Sequence, residues 1–176
     1  MTTTQIDPSG GVEVFLNPGD FHFLCPAPGK PRLAKLRTLL GSCVSIVVWH
    51  PQRRLAGMSH AVLPSRSRHR EGGSLDGRFC DESVALFRKE LVNAGAQPQH
   101  FDVYLVGGGQ MYLTRHEMLS IGNRNVEAAR DFLKRAGFPI RAEHVGMEDY
   151  RKVELDLTSG DVTVTFSNKR FNLSAV

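Results

Sequence analysis

The sequence predicts an α+β fold in which layered mixed and antiparallel β-sheets are flanked by two main helices. Three observations lead to it. Short runs rich in β-branched residues outnumber helical segments, only two stretches carry a 3.6-residue apolar period, and several strand candidates are adjacent in sequence as hairpins. Adjacent hairpins do not belong to a fully parallel, doubly wound sheet.

Taken in order, "GGVEVFLNPGD" predicts an early strand ended by a turn at Pro18-Gly19. "FLCPAPGKPRLAK" carries three of the nine prolines and is expected to be an extended loop. Residues 44–49 and 55–62 read as antiparallel strands joined around "HPQRR". Asp81 is a candidate N-cap for a helix over 82–93, with Val84, Phe87 and Leu91 inward and Gly95 as its stop. "FDVYLV" predicts a buried strand running into Gly107, Gly108 and Gly109, which suit a tight bend. A second amphipathic helix is expected over 125–136, with Val126, Ala129 and Leu133 inward. "IRAEHV" reads as a strand, and "KVELDL" with "VTVTF" as a hairpin around Ser159-Gly160.

At 176 residues and 41% hydrophobic, the chain suits one domain over 1–176, with a core of about 12–166 and mobile tails. No apolar run is long enough for a membrane span, and the first residues lack a secretory pattern, so a soluble cytoplasmic protein is expected. Cys25, Cys43 and Cys80 are odd in number and form no CxxC pair, which argues against a disulfide framework and a structural zinc site. His22, His50, His69, His100, His116 and His144 show no metal-ligand spacing, and no cofactor is implied. The glycines at 107–109 lack the pattern of a nucleotide loop. A net charge of +4 is small and dispersed. Its one cluster, Arg66, Arg68 and Arg70, reads as a solvated loop or a docking loop for an acidic partner, and nucleic-acid binding is not expected.

The chemistry concentrates in "TLLGSCVSIVVWHPQRRLAGMSHAVLP". A hairpin turn centred between Pro51 and Gln52 places Cys43 directly opposite His60, with Val44, Ile46 and Val48 as the core stripe. An imidazole beside a cysteine can hold a thiolate-imidazolium pair ready to attack an acyl carbon. Gly41 and Ser42, just before the sulfur, are candidates for substrate positioning and for an oxyanion site. The plain alternative for Cys43 is a small buried hydrophobe.

These segments resemble the CheD family of chemoreceptor glutamine deamidases. The resemblance rests on "TLLGSCVSIVVW", "LAGMSHAVLP", "VYLVGGGQM" and "SIGNRNVEAARDFLKRAGFPIRAEHVG", in the family's order. It implies a CheD-like cysteine hydrolase fold, with Cys43 as nucleophile and His60 as acid-base partner. The substrates implied are glutamine side chains on the cytoplasmic helices of methyl-accepting chemotaxis receptors. A threonine shortly before the cysteine also belongs to the family's site, and Thr38 is the candidate, its neighbour Arg37 falling on the other strand face. Thr38 is equally readable as a β-favoured residue at a strand start. Met147 and Tyr150 stand where the family often has glycine, and Cys80 near a position often aromatic, which suggests variation in the substrate surface. A CheC-type phosphatase is a further partner the resemblance implies. The alternatives are a non-catalytic adaptor of the same fold and a small-molecule amidase or esterase.

Overall fold

Strands of four to eight residues build two sheets that share an apolar layer. The computed structural model describes residues 3–6, 11–26, 33–66, 73–111 and 120–175. One sheet has the order β1-β2-β4-β9-β10-β11, from β1 (Thr3–Ile6), β2 (Val12–Leu16), β4 (Leu33–Leu40), β9 (Arg151–Asp156), β10 (Val162–Phe166) and β11 (Lys169–Asn172). The other has the order β3-β6-β5-β7-β8, from β3 (Phe21–Leu24), β5 (Val44–Trp49), β6 (Ala56–Ser59), β7 (Asp102–Gly107) and β8 (Ile140–Val145). Each sheet is antiparallel apart from one parallel pair, β2 with β4 and β7 with β8.

Side-chain alternation sorts β5 between two apolar clusters. Val44, Ile46 and Val48 face α1 (Cys80–Asn93) and α2 (Ile121–Arg135), joining Val84, Phe87, Val126 and Leu133. Val47 and Trp49 face the six-stranded sheet, joining Leu16, Leu36, Val153 and Val164. The result is three layers, sheet on sheet on helices, with β5 buried on both faces. The period-two run at the end of the chain forms the β9–β10 hairpin, with Gly160 at φ 84 in its turn.

Several expectations are corrected. Leu33–Leu40 is a full strand, and Phe23 and Leu24 lie in β3, so both ends of the expected loop are strand, while its residues 27–32 lie outside the described residues. Asp81 does not cap α1. The helix starts two residues earlier, its N-cap is Phe79 without a side-chain bond, and the Cys80 amide donates to the Leu63 carbonyl at 2.9 Å. A backbone bridge between Leu63 and Phe79 therefore does the work of a cap. α2 begins at Ile121, capped by the Ser120 hydroxyl, which accepts from the Asn123 amide. Gly122 obscured this first turn, yet its place is dictated by packing, because a Cβ there would lie 2.6 Å from the Gly108 carbonyl oxygen. β1, β3 and β11 have no counterpart among the predicted strands. Arg66 is tied to Glu82 by two hydrogen bonds, of 2.5 and 2.8 Å, while Arg68, Arg70, His69 and His116 lie outside the described residues.

Candidate active site

The β5–β6 ladder pairs Val47 with Met58, Val48 with Gly57 and Trp49 with Ala56, and an isolated bridge between Val44 and Ala61 continues the same register. His60 therefore stands opposite Ser45, and Cys43 is its diagonal neighbour, not its direct partner. The turn is longer than the sequence suggested: the His50 amide donates to the Leu55 carbonyl, and Arg54 takes a left-handed φ of 55°. The slip amounts to two residues, so it preserves faces. Cys43 packs on the inter-sheet cluster, and Met58 and Ala61, on opposite clusters, fix His60 on that same inter-sheet side. Diagonal neighbours remain within reach of long and aromatic side chains.

Across the layer, Thr38 on β4 meets His60. Both are buried, and Thr38 Oγ1 lies 2.8 Å from His60 Nδ1 while donating to the Leu16 carbonyl at 2.8 Å. Nδ1 is also 3.3 Å from that carbonyl. A carbonyl oxygen only accepts, and the threonine proton is already committed, so the proton of the neutral ring sits on Nδ1 and Nε2 carries the free lone pair. Arg37, one residue away, points to the outer face, paired with Glu13 at 2.6 Å and Glu154 at 3.1 Å.

Cys43 is half-buried at the end of a tightly held segment. Gly109 donates to the Gly41 carbonyl and Gly108 to the Cys43 carbonyl, each at 2.8 Å. Asn125 Nδ2 donates to the Ser42 carbonyl at 3.1 Å and to the Val62 carbonyl at 2.9 Å. The glycines are required by this approach: a Cβ on Gly107, whose φ is 119°, would lie 2.2 Å from the Cys43 carbonyl oxygen. Gly41 is flanked by Met111 and Tyr150, each 3.3 Å or less from the place of a Cβ. Asn125 was missed by sequence reasoning, which took it as a helix start. Cys80 is not on a substrate surface: it is fully buried, its sulfur 3.7 Å from the Asn125 carbonyl, and burial pushes its thiol up to about 12.

The "CheD chemotactic sensory transduction" family model matches residues 62–166. The chain is 42% identical over 161 residues to "Probable chemoreceptor glutamine deamidase CheD 1" of Chromobacterium violaceum, covering 90% of this chain and 80% of that protein. It is 41% identical over 160 residues to "Probable chemoreceptor glutamine deamidase CheD 3" of Dechloromonas aromatica, covering 90% of each. The chain belongs to the CheD family. A CheD protein of Pseudomonas savastanoi pv. phaseolicola is 37% identical over 160 residues, covering 89% of this chain and 86% of that one. Among solved structures, Bacillus licheniformis hypothetical protein YfiH aligns with 66% of this chain and 52% of that one, at 14% identity and a TM-score of 0.41. The family match begins just after His60, but at 90% coverage the first two relatives' matched length includes residues 38–60.

In this CheD chain, burial acts on both candidate groups in the direction of neutrality. It raises the Cys43 thiol, partly offset by a hydrogen bond from the residue's own amide, and lowers His60, partly offset by the Leu16 carbonyl. Burial thus works against the thiolate-imidazolium pair expected from the sequence and favours a thiol beside a neutral imidazole. Alkylation of Cys43 by iodoacetamide, which requires thiolate, is predicted to rise with pH along a curve whose midpoint lies above the ordinary thiol range. A midpoint well below that range would restore the ion pair. Among the described residues, no helix is long and apolar enough to cross a membrane, and no group of three or more His, Cys, Asp or Glu side chains could hold a metal ion.

Proposed function

We propose that this chain is a cytoplasmic protein-glutamine deamidase that converts glutamine side chains on methyl-accepting chemotaxis receptors to glutamate, releasing ammonia. The observation that carries the proposal is the hydrogen bond that fixes His60 through Nδ1, leaving Nε2 free on the sheet face that also bears Cys43. As the Cys43 sulfur bonds to the side-chain amide carbon, its proton passes to Nε2 and the carbonyl electron pair moves to oxygen. The imidazolium then protonates the amide nitrogen, the C–N bond breaks, and ammonia leaves a thioester. Water attacks that thioester, giving a proton to Nε2. The C–S bond breaks, sulfur recovers the proton, and a carboxylic acid remains, which ionises by giving its proton to the released ammonia. The net change is one amide and one water to one carboxylic acid and one ammonia.

Thr38 is a positioning residue in this scheme, because its hydroxyl accepts from Nδ1 and holds the required tautomer. Replacing it with valine keeps the shape and leaves a buried Nδ1 proton short of its best acceptor, so kcat is expected to fall about fivefold to a hundredfold with KM little changed. Thr38→Ser retains the oxygen and is expected to keep most of the activity. Equal losses in both variants would assign Thr38 to packing alone.

Family resemblance supports a CheC-type phosphatase as a second partner. The test of the function is ammonia release from a purified receptor cytoplasmic fragment. Catalytic release over many turnovers is expected, whereas binding of the fragment with no ammonia would leave an adaptor.

A further inference from the structure

Asn125 reaches from α2 to two carbonyls that bracket the candidate site, those of Ser42 and Val62. It is fully buried, and its Oδ1 has no hydrogen-bond partner. An acceptor left unpaired in a core costs stability, so what keeps an amide here is what its nitrogen holds, the Ser42 and Val62 carbonyls. Three successive carbonyls around the sulfur are held, those of Gly41, Ser42 and Cys43, but only the Ser42 carbonyl is held by a side chain. That carbonyl belongs to the peptide whose N–H is the amide of Cys43. The described residues contain no cis peptide, and in a trans unit the C=O and N–H point in opposite directions. Pulling the carbonyl toward α2 therefore turns the Cys43 N–H away from the helices, toward the inter-sheet side where His60 lies.

We infer that Asn125 is a positioning residue, which aims the Cys43 amide at the oxyanion formed when the Cys43 sulfur adds to a carbonyl. The inference rests on Cys43 being the nucleophile, but not on the receptor being its substrate. Because Gly108 and Gly109 hold the flanking carbonyls and β5 continues into the sheet, loss of the Asn125 amide frees the peptide plane while leaving the sulfur in place.

Two reagents separate these effects. 4-Nitrophenyl acetate acylates through a tetrahedral oxyanion: sulfur bonds to the carbonyl carbon, the thiol proton goes to His60, and 4-nitrophenolate departs. Iodoacetamide alkylates at a saturated carbon, expelling iodide, and forms no oxyanion. In a Cys25→Ser background, to remove the exposed thiol, Asn125→Asp and Asn125→Ala are expected to slow acylation of Cys43 about tenfold or more, with alkylation at the same pH changed less than twofold. Acylation unchanged in both variants would overturn the inference, and so would a parallel fall in both reactions. Loss of the fold in both, seen as Cys80 becoming reactive, would assign Asn125 to structure and overturn it equally. If acylation falls as expected while receptor fragments yield no ammonia, the inference stands and the receptor reading fails.

Discussion

Cys43→Ala is expected to abolish ammonia release from receptor fragments, a loss on the order of 10⁵-fold or more, as when other hydrolases lose their nucleophile. Two features make this the largest effect. The sulfur is the only protein atom in the scheme that bonds to the substrate carbon, and direct attack by water would lack the thioester that divides a difficult hydrolysis into two easier steps. Cys43→Ser tests the same point by keeping size and access: a hydroxyl is far less acidic than a thiol, so His60 alone cannot make it competent. The other cysteines give the control. Cys25 is exposed, and Cys80 is sealed in the core with its thiol pushed up to about 12, so neither can replace Cys43. Cys25→Ser should leave the rate unchanged. The measurement is initial ammonia release at saturating fragment, with far-ultraviolet circular dichroism to confirm folding. Residual activity in Cys43→Ala within tenfold of the parent would end the nucleophile assignment.

His60→Ala is expected to cost about 10²–10⁴-fold in kcat, the range for loss of a positioned general acid-base. Burial favours the protonated form of the Cys43 thiol, so a base beside it is needed at moderate pH to remove its proton. The deficit should narrow as pH rises, since hydroxide then supplies thiolate. It should not close, because a thiolate with no adjacent acid cannot protonate departing ammonia. The pH profile of the parent follows from the same directions. Burial lowers His60, so the base form persists below the ordinary imidazole range, and the acid limb should lie there. Iodoacetamide alkylation at high pH should be equal in His60→Ala and the parent. An alkylation deficit at high pH would mean that the histidine holds the sulfur in place.

The central strand was the most legible element, because "VSIVVW" is apolar on both faces and only a strand buried between two layers satisfies it. The terminal hairpin was legible for a different reason, its strict alternation around Ser159-Gly160. β11 was not, since all four of its residues are exposed and carry no apolar pattern. The register of β5 against β6 slipped by two because Arg54 adopts a left-handed conformation that nothing in "HPQRR" announces. Parity survived the slip, so Cys43 and His60 still share a face. Position 38 was readable in the same way, since Arg37 and Thr38 must point to opposite sides of β4, and the arginine pairs with Glu13 and Glu154 on the outer face of the sheet. Asn125 was unreadable, because its partners are backbone carbonyls 63 and 83 residues distant, and no side-chain pattern marks a carbonyl.

The most direct test of the account is peptide-resolved mass spectrometry of a receptor cytoplasmic fragment after incubation with this protein, run beside Cys43→Ala. The account predicts amide-to-acid conversion confined to particular glutamines, with none in the variant. Conversion that persists without the Cys43 sulfur, or an unaltered fragment in the presence of folded protein, would contradict it.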